Sequence, residues 1–158
     1  MDKFIFLDID GVLNSEQYYI EKSESERLRE LKLEGVIAYG LANIDPKAVS
    51  LLNKIIDKTG AKIVISSSWR GASSLYTILK LAGITSPIYG ETPRLENRWR
   101  GMEINKWLEG IKEPYKYVII DDDNDMLESQ LNNLVQTDWK VGLTEENVIK
   151  AIKILNDD

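Results

Sequence analysis

The sequence predicts a doubly wound, Rossmann-like α/β fold with a mostly parallel sheet, and three observations carry that prediction. Short apolar runs, FIFL, KIVI and YVII, alternate along the chain with segments of helical spacing. The runs are continuously apolar, as strands covered on both faces are. Each of the three also ends in polar residues: Asp8-Ile9-Asp10-Gly11, Ser66-Ser67-Ser68 and Asp121-Asp122-Asp123.

The first strand covers about Phe4 to Ile9. The first well-punctuated helix comes much later, with Asp45 as N-cap, Pro46 in the first helical position and Ala48, Val49, Leu52, Ile55 and Ile56 at helical spacing until Gly60. AKIVIS is a second strand. A helix from about Leu75 to Ala82 ends at Gly83, and TSPIYG holds a third strand. In GMEINKWLEGI, residues Met102, Ile104, Trp107, Leu108 and Ile111 fall near one helix face, and YKYVIIDDD repeats the opening pattern of an apolar run ending in acid. A helix from about Asp125, a strand at LVQT and a last helix after Thr144, with Glu145 and Glu146 in its first turn, complete the order.

Two stretches break the alternation. Residues 15–43 are charged and read as a small helical or hairpin insert, and Glu91 to Arg100 are polar and irregular. We expect one domain over residues 1–158 carrying that insert, since domains of about 100 to 150 residues are the commonest class. Trp69, Trp99 and Trp107 read as packing residues before stacking platforms.

The chain contains no Cys and no His, which excludes disulfides, thiolate zinc sites and imidazole catalysis. Catalysis must use carboxylates, hydroxyls, Lys, Arg or Tyr, and metal ligands must be oxygens. A formal charge of -6 excludes a surface that coats nucleic acid broadly, while leaving room for a local basic site. No apolar stretch approaches the roughly 20 residues that span a bilayer, and the N-terminus lacks a signal-peptide pattern, so we expect a cytoplasmic protein with no membrane partner.

In an open parallel sheet, ligands bind beyond the carboxyl ends of the strands. If the three runs are neighbours, two acidic groups and a hydroxyl group converge on one edge. Like charges at that spacing repel, and burying them unpaired is costly, so the cluster needs a cation or protons. Oxygen ligands with open positions for phosphate suit magnesium. Gly11 then marks a sharp turn away from the strand end. The acidic run DDDND also mimics an EF-hand loop, but Met126 and Asn132 stand where that loop needs Gly and Glu.

Asp8-Ile9-Asp10-Gly11-Val12, Ser66 and Asp121-Asp122, each at the end of an apolar run, resemble motifs I, II and IV of the haloacid dehalogenase (HAD) superfamily. SSSWR, RWRGMEI, VIIDDD and TDWKVGLT are also similar to HAD domains linked with RNA repair, the class to which the phosphatase modules of polynucleotide kinase-phosphatases are related. The resemblance implies that Asp8 attacks phosphorus to form an aspartyl-phosphate, and that Asp10 protonates the leaving oxygen and later deprotonates water. It implies magnesium held by the Asp8 carboxylate, the Asp10 carbonyl oxygen and Asp122, with Asp121 either a further ligand or a support behind the ligands. Ser66 would bind the phosphoryl group, with Ser67 and Ser68 as alternatives. For the cation facing the phosphoryl oxygens the superfamily usually has Lys. That Lys stands roughly twenty residues before the last acidic motif, and here Arg100, with Arg98 as rival, holds the corresponding place before Asp121.

From Asp10 to Ser66 there are 55 intervening residues and from Ser66 to Asp121 there are 54, too few for a large cap domain. In the superfamily that goes with an open site and a bulky substrate. The expected function is therefore a magnesium-dependent phosphatase acting on nucleotide or polynucleotide phosphate ends, with Arg70, Arg94, Arg98 and Arg100 as a local positive patch. Two rivals stand beside it: a phosphoryl-accepting receiver-type signalling module, and a non-catalytic protein that binds magnesium and phosphate.

Overall fold

The computed structural model describes residues 1–157. Within them the strands are β1 (Asp2–Leu7), β2 (Lys62–Ile65), β3 (Ile88–Glu91), β4 (Tyr115–Asp121) and β5 (Leu134–Gln136). The helices are α1 (Glu16–Glu21), α2 (Glu24–Leu31), α3 (Gly35–Ala42), α4 (Pro46–Thr59), α5 (Leu75–Leu81), α6 (Arg100–Leu108) and α7 (Glu145–Asn156). All strands pair in parallel, in the order β3-β2-β1-β4-β5.

The central strand β1 shows why its run is apolar throughout. Phe4, Ile5, Phe6 and Leu7 are each 0% exposed, because the two sheet faces are covered by different helices. Ile5 and Leu7 join Ile63, Ile65, Val118 and Ile120 against α4, α5 and α7. Phe4 and Phe6 face the other way, with Val64 and Ile119, against α6. Trp107 of α6 sits edge-on to both phenyl rings, at centroid distances of 5.0 and 5.3 Å, so its role is packing, as expected.

Local punctuation acts as the sequence predicts. The Asp45 side chain accepts from the Lys47 N–H at the start of α4, and Gly60 closes that helix in the left-handed region. Thr144 caps α7 by accepting from the Asn147 N–H. The 15–43 insert is helical, forming α1 to α3, and the buried Arg27 holds it together: its guanidinium donates to the Lys22 and Ala42 carbonyls and stacks on Tyr18 and Tyr19.

One element differs from expectation. In place of a helix from about Asp125, residues 122–127 are irregular and only a 3-10 turn, Glu128–Asn133, precedes β5. The reason is local competition for backbone donors: Asp121 Oδ1 accepts from the Asp123 N–H and Asp123 Oδ1 from the Asn124 N–H. The segment serves a neighbour. Trp99, the N-cap residue of α6, makes no side-chain cap; Asp125 makes it from across the fold, accepting from the Gly101 N–H through its carbonyl and from the Arg100 N–H through Oδ2. A Cβ at Gly101 would lie 2.5 Å from the Leu127 nitrogen, so only glycine permits this approach. The first turn of α6 is thereby fastened to the loop after β4.

Candidate active site

The sheet's hydrogen-bond ladder continues one residue past the strands and assembles the edge. The Asp8 N–H donates to the Ile120 carbonyl at 3.0 Å, the Ser66 N–H to the Leu7 carbonyl at 2.9 Å and the Thr137 N–H to the Asp121 carbonyl at 2.9 Å. Asp8, Ser66 and Asp121 therefore lie in adjacent registers. One carboxylate oxygen each from Asp8, Asp121 and Asp122 lies within 4.8 Å of the others.

Gly11 leaves the first of these strand ends with φ +75°, and a Cβ there would stand 2.5 Å from Asp122 Cγ. Both the turn and the approach of Asp122 to the cluster thus depend on glycine. Thr137 Oγ1 donates to the Gly11 carbonyl at 2.7 Å, tying the turn to the end of β5.

Burial makes the three acids hard to ionise together. It is the main cause lifting Asp8 to about 6, opposed by a backbone bond at Ile9, a hydrogen bond from Ser67 and the Arg100 charge. Asp121 is pushed up to about 8, again by burial first and then by the negative Asp8 beside it. Asp122 is raised for the same leading reason.

These shifts have a sign. Unfolded aspartates titrate near 3.9, so between about pH 4 and pH 8 the native chain holds protons that the unfolded chain has released. The stability of the cation-free protein is then greatest at the acid end of that window and falls as pH rises through it. Melting in chelator across the window checks this. Asp121→Asn is expected to flatten the fall and to raise Tm at pH 8 by about 2 to 4 °C for each kcal/mol of relieved repulsion, and added magnesium to raise the wild-type Tm there. A flat, magnesium-insensitive profile contradicts the geometry.

Asp10 is placed differently. Its carboxylate stands outside the cluster and is exposed, with Oδ1 accepting from Asn14 Nδ2 and Oδ2 from Trp69 Nε1, both at 3.0 Å. Asn14 also accepts from the Gly11 N–H at 3.0 Å and donates to the Asn43 carbonyl, so one side chain orients Asp10, the turn and the end of the insert. Burial lifts the Tyr19 phenol to about 12, with the nearby Asp10 charge as second cause, which places α1 of the insert alongside the acid. Trp69 packs against the core and also holds Asp10, a role hidden by its apolar character. The signal that could have revealed it is its position directly after Ser68.

The serines divide. Ser66 is 1% exposed, and its Oγ is the one buried side-chain polar atom without a hydrogen-bond partner among the described residues. Ser67, also buried, accepts from the Trp69 N–H through Oγ and works against the rise in the Asp8 pKa, and Ser68 is exposed. A buried hydroxyl left without a partner beside a carboxylate cluster is free to donate to a ligand oxygen there. The all-oxygen donor set of Asp8, Asp121 and Asp122 suits a hard divalent ion such as magnesium.

The arginines divide as well. Arg100 Nε lies 3.6 Å from Asp121 Oδ2, and its charge is felt by all three cluster acids. Arg98 pairs with none of them. Behind Arg100 sits a buried network outside the sequence reading. Glu103, 2% exposed, takes Arg70 at 2.9 Å and Arg100 at 3.4 Å on one oxygen and the Leu95 N–H on the other. Arg70 continues to the Ser67, Thr92 and Pro93 carbonyls, joining the serine loop to α6. Helical spacing put Glu103 on a polar position, and no local signal shows that it is buried.

A parallel sheet in this order, with two acidic strand ends facing a buried serine and an arginine, defines a HAD-type domain with no large cap. The chain belongs to the family described as the HAD domain in Swiss Army Knife RNA repair proteins, which it matches over residues 4–148. Membership points to hydrolase chemistry of the phosphatase type, in a generally metal-dependent class. No curated protein and no solved structure matches the chain. No helix among the described residues is long and apolar enough to cross a membrane.

Proposed function

We propose that this protein is a magnesium-dependent phosphatase that works through an aspartyl-phosphate and acts on nucleotide or polynucleotide phosphate ends. The observation that carries the reading is the convergence of Asp8, Asp121 and Asp122 on the edge that holds the unpartnered Ser66 hydroxyl. Asp8 attacks phosphorus through a carboxylate oxygen, and the bond from phosphorus to the leaving oxygen breaks. Asp10, oriented by Trp69 and Asn14, gives that oxygen its proton. The deprotonated Asp10 then takes a proton from water as the water attacks the aspartyl-phosphate, which releases inorganic phosphate and restores Asp8. Ser66 donates to a phosphoryl oxygen, Ser67 holds Asp8, and Arg100 offsets the phosphoryl charge. Asp8, Asp121 and Asp122 would hold the magnesium ion, which when bound neutralises the carboxylates and polarises the phosphoryl group.

Two things support the substrate class. The family is associated with RNA repair, and the helical insert leaves Asp10 exposed, so a bulky substrate reaches it. The test is a panel of nucleotides, phosphorylated oligonucleotides and sugar phosphates, with magnesium and with chelator. Phosphate release that needs magnesium and favours the nucleic-acid substrates is the expected result. Stable phosphorylation by a small phosphodonor, without release, would instead identify a receiver.

A further inference from the structure

We propose that the groove beside the acidic edge is a second phosphate site, which takes the phosphodiester next to the terminal phosphate of a polynucleotide strand and reads it through Arg98. This rests on the phosphatase reading above and names what distinguishes a strand from a mononucleotide there. The groove is an open cavity of about 510 Å³ bordered by Ser68, Arg94, Leu95, Glu96, Arg98 and Arg100. It is continuous with the catalytic edge at two points: Arg100 pairs with Asp121, and Ser68 follows the buried serines directly.

The side chains of this groove are not equivalent. Arg70 and Arg100 share the buried carboxylate of Glu103, so much of their charge is offset. Arg94 donates to the Ser68 and Arg70 carbonyls and has no carboxylate partner among the described residues. Arg98 is exposed, and among the described residues its guanidinium makes no hydrogen bond and no ion pair. An arginine fork free of protein partners matches a phosphate in shape and charge. The whole chain carries a formal charge of -6, so its surface outside the groove repels a polyanion and a strand that enters is confined to this positive strip. A substrate with one phosphate, held at the acids, leaves Arg98 unused; the next phosphate along a strand engages it.

The test measures kcat/KM over a series of salt concentrations for substrates built on one nucleoside: the monophosphate, the 3′,5′-bisphosphate and a dinucleotide with a terminal phosphate, each end being tried. The dinucleotide is expected to exceed the monophosphate by about tenfold, the worth of one charge-assisted contact. Its advantage is expected to fall steeply with salt. In Arg98→Asn, a residue that tolerates the φ of 51° found there, most of that advantage disappears and the salt slope drops by about 0.7. Equal rates for monophosphate and dinucleotide in the wild type, or an advantage that survives in Arg98→Asn, overturn the second site and leave the phosphatase reading standing. A gain for the bisphosphate alone overturns the strand assignment. If no substrate is turned over, the phosphatase reading fails, and tryptophan-fluorescence titration with the same ligands decides the groove: tighter dinucleotide binding lost in Arg98→Asn supports it, and equal binding overturns it.

Discussion

Replacing Asp8 with Asn is expected to lower phosphomonoester hydrolysis by about 10⁴-fold or more while raising the melting temperature of the cation-free protein at pH 8. The two effects come from the same atom. The amide has no carboxylate oxygen to attack phosphorus, so only catalysis that needs no covalent intermediate remains. The change nearly preserves shape and keeps an oxygen acceptor beside Ser67. It also deletes one of three clustered charges, in which desolvation and mutual repulsion push the buried Asp8 to about 6 and Asp121 to about 8. Steady-state hydrolysis of a generic aryl phosphate with magnesium, and thermal melts in chelator, measure the two effects separately. A variant that is inactive and less stable has simply lost its fold, and a variant with wild-type turnover removes Asp8 from the nucleophile's place.

Glu103→Ala is expected to give the largest loss of stability, about 3 to 5 kcal/mol, although Glu103 touches no substrate in the proposed reaction. Its carboxylate is 2% exposed and serves two guanidiniums and the Leu95 N–H. Removing it leaves Arg70, itself only 8% exposed, buried beside the like charge of Arg100. With about 2 to 4 °C of Tm for each kcal/mol in a domain of this size, the shift is easily read. Turnover should also fall, since Arg100 and the serine loop lose their common anchor. Chemical denaturation gives the free energy, and a loss below about 1 kcal/mol would mean that the three-residue network is solvated rather than structural.

The fold was legible because its signals are local. Continuous apolar runs marked three of the five strands, Asp45-Pro46 and Thr144 marked helix starts, and Gly60 marked an end, each through contacts within a turn of chain. The helix expected from Asp125 did not form because that segment's backbone groups are used in aspartate turns and in capping α6, a partner about 25 residues away. Trp69 was read for its bulk, and its N–H, which meets Asp10 at 59 residues' separation, has no sequence pattern to announce it.

By itself the sequence determined the parallel α/β sheet, the oxygen-only chemistry, and the acidic and hydroxyl residues at the strand ends, because hydrophobic period and residue type act on the immediate backbone. Only the tertiary structure decided that Ser66 keeps an unpaired hydroxyl while Ser67 accepts from the Trp69 N–H, that Arg100 and not Arg98 meets the acids, and that Glu103 is buried between two arginines. Apolar spacing specifies which face of an element turns inward. Which polar group is buried, and with what partner, depends on distances between elements far apart in the chain, and those exist only once the sheet has brought them together.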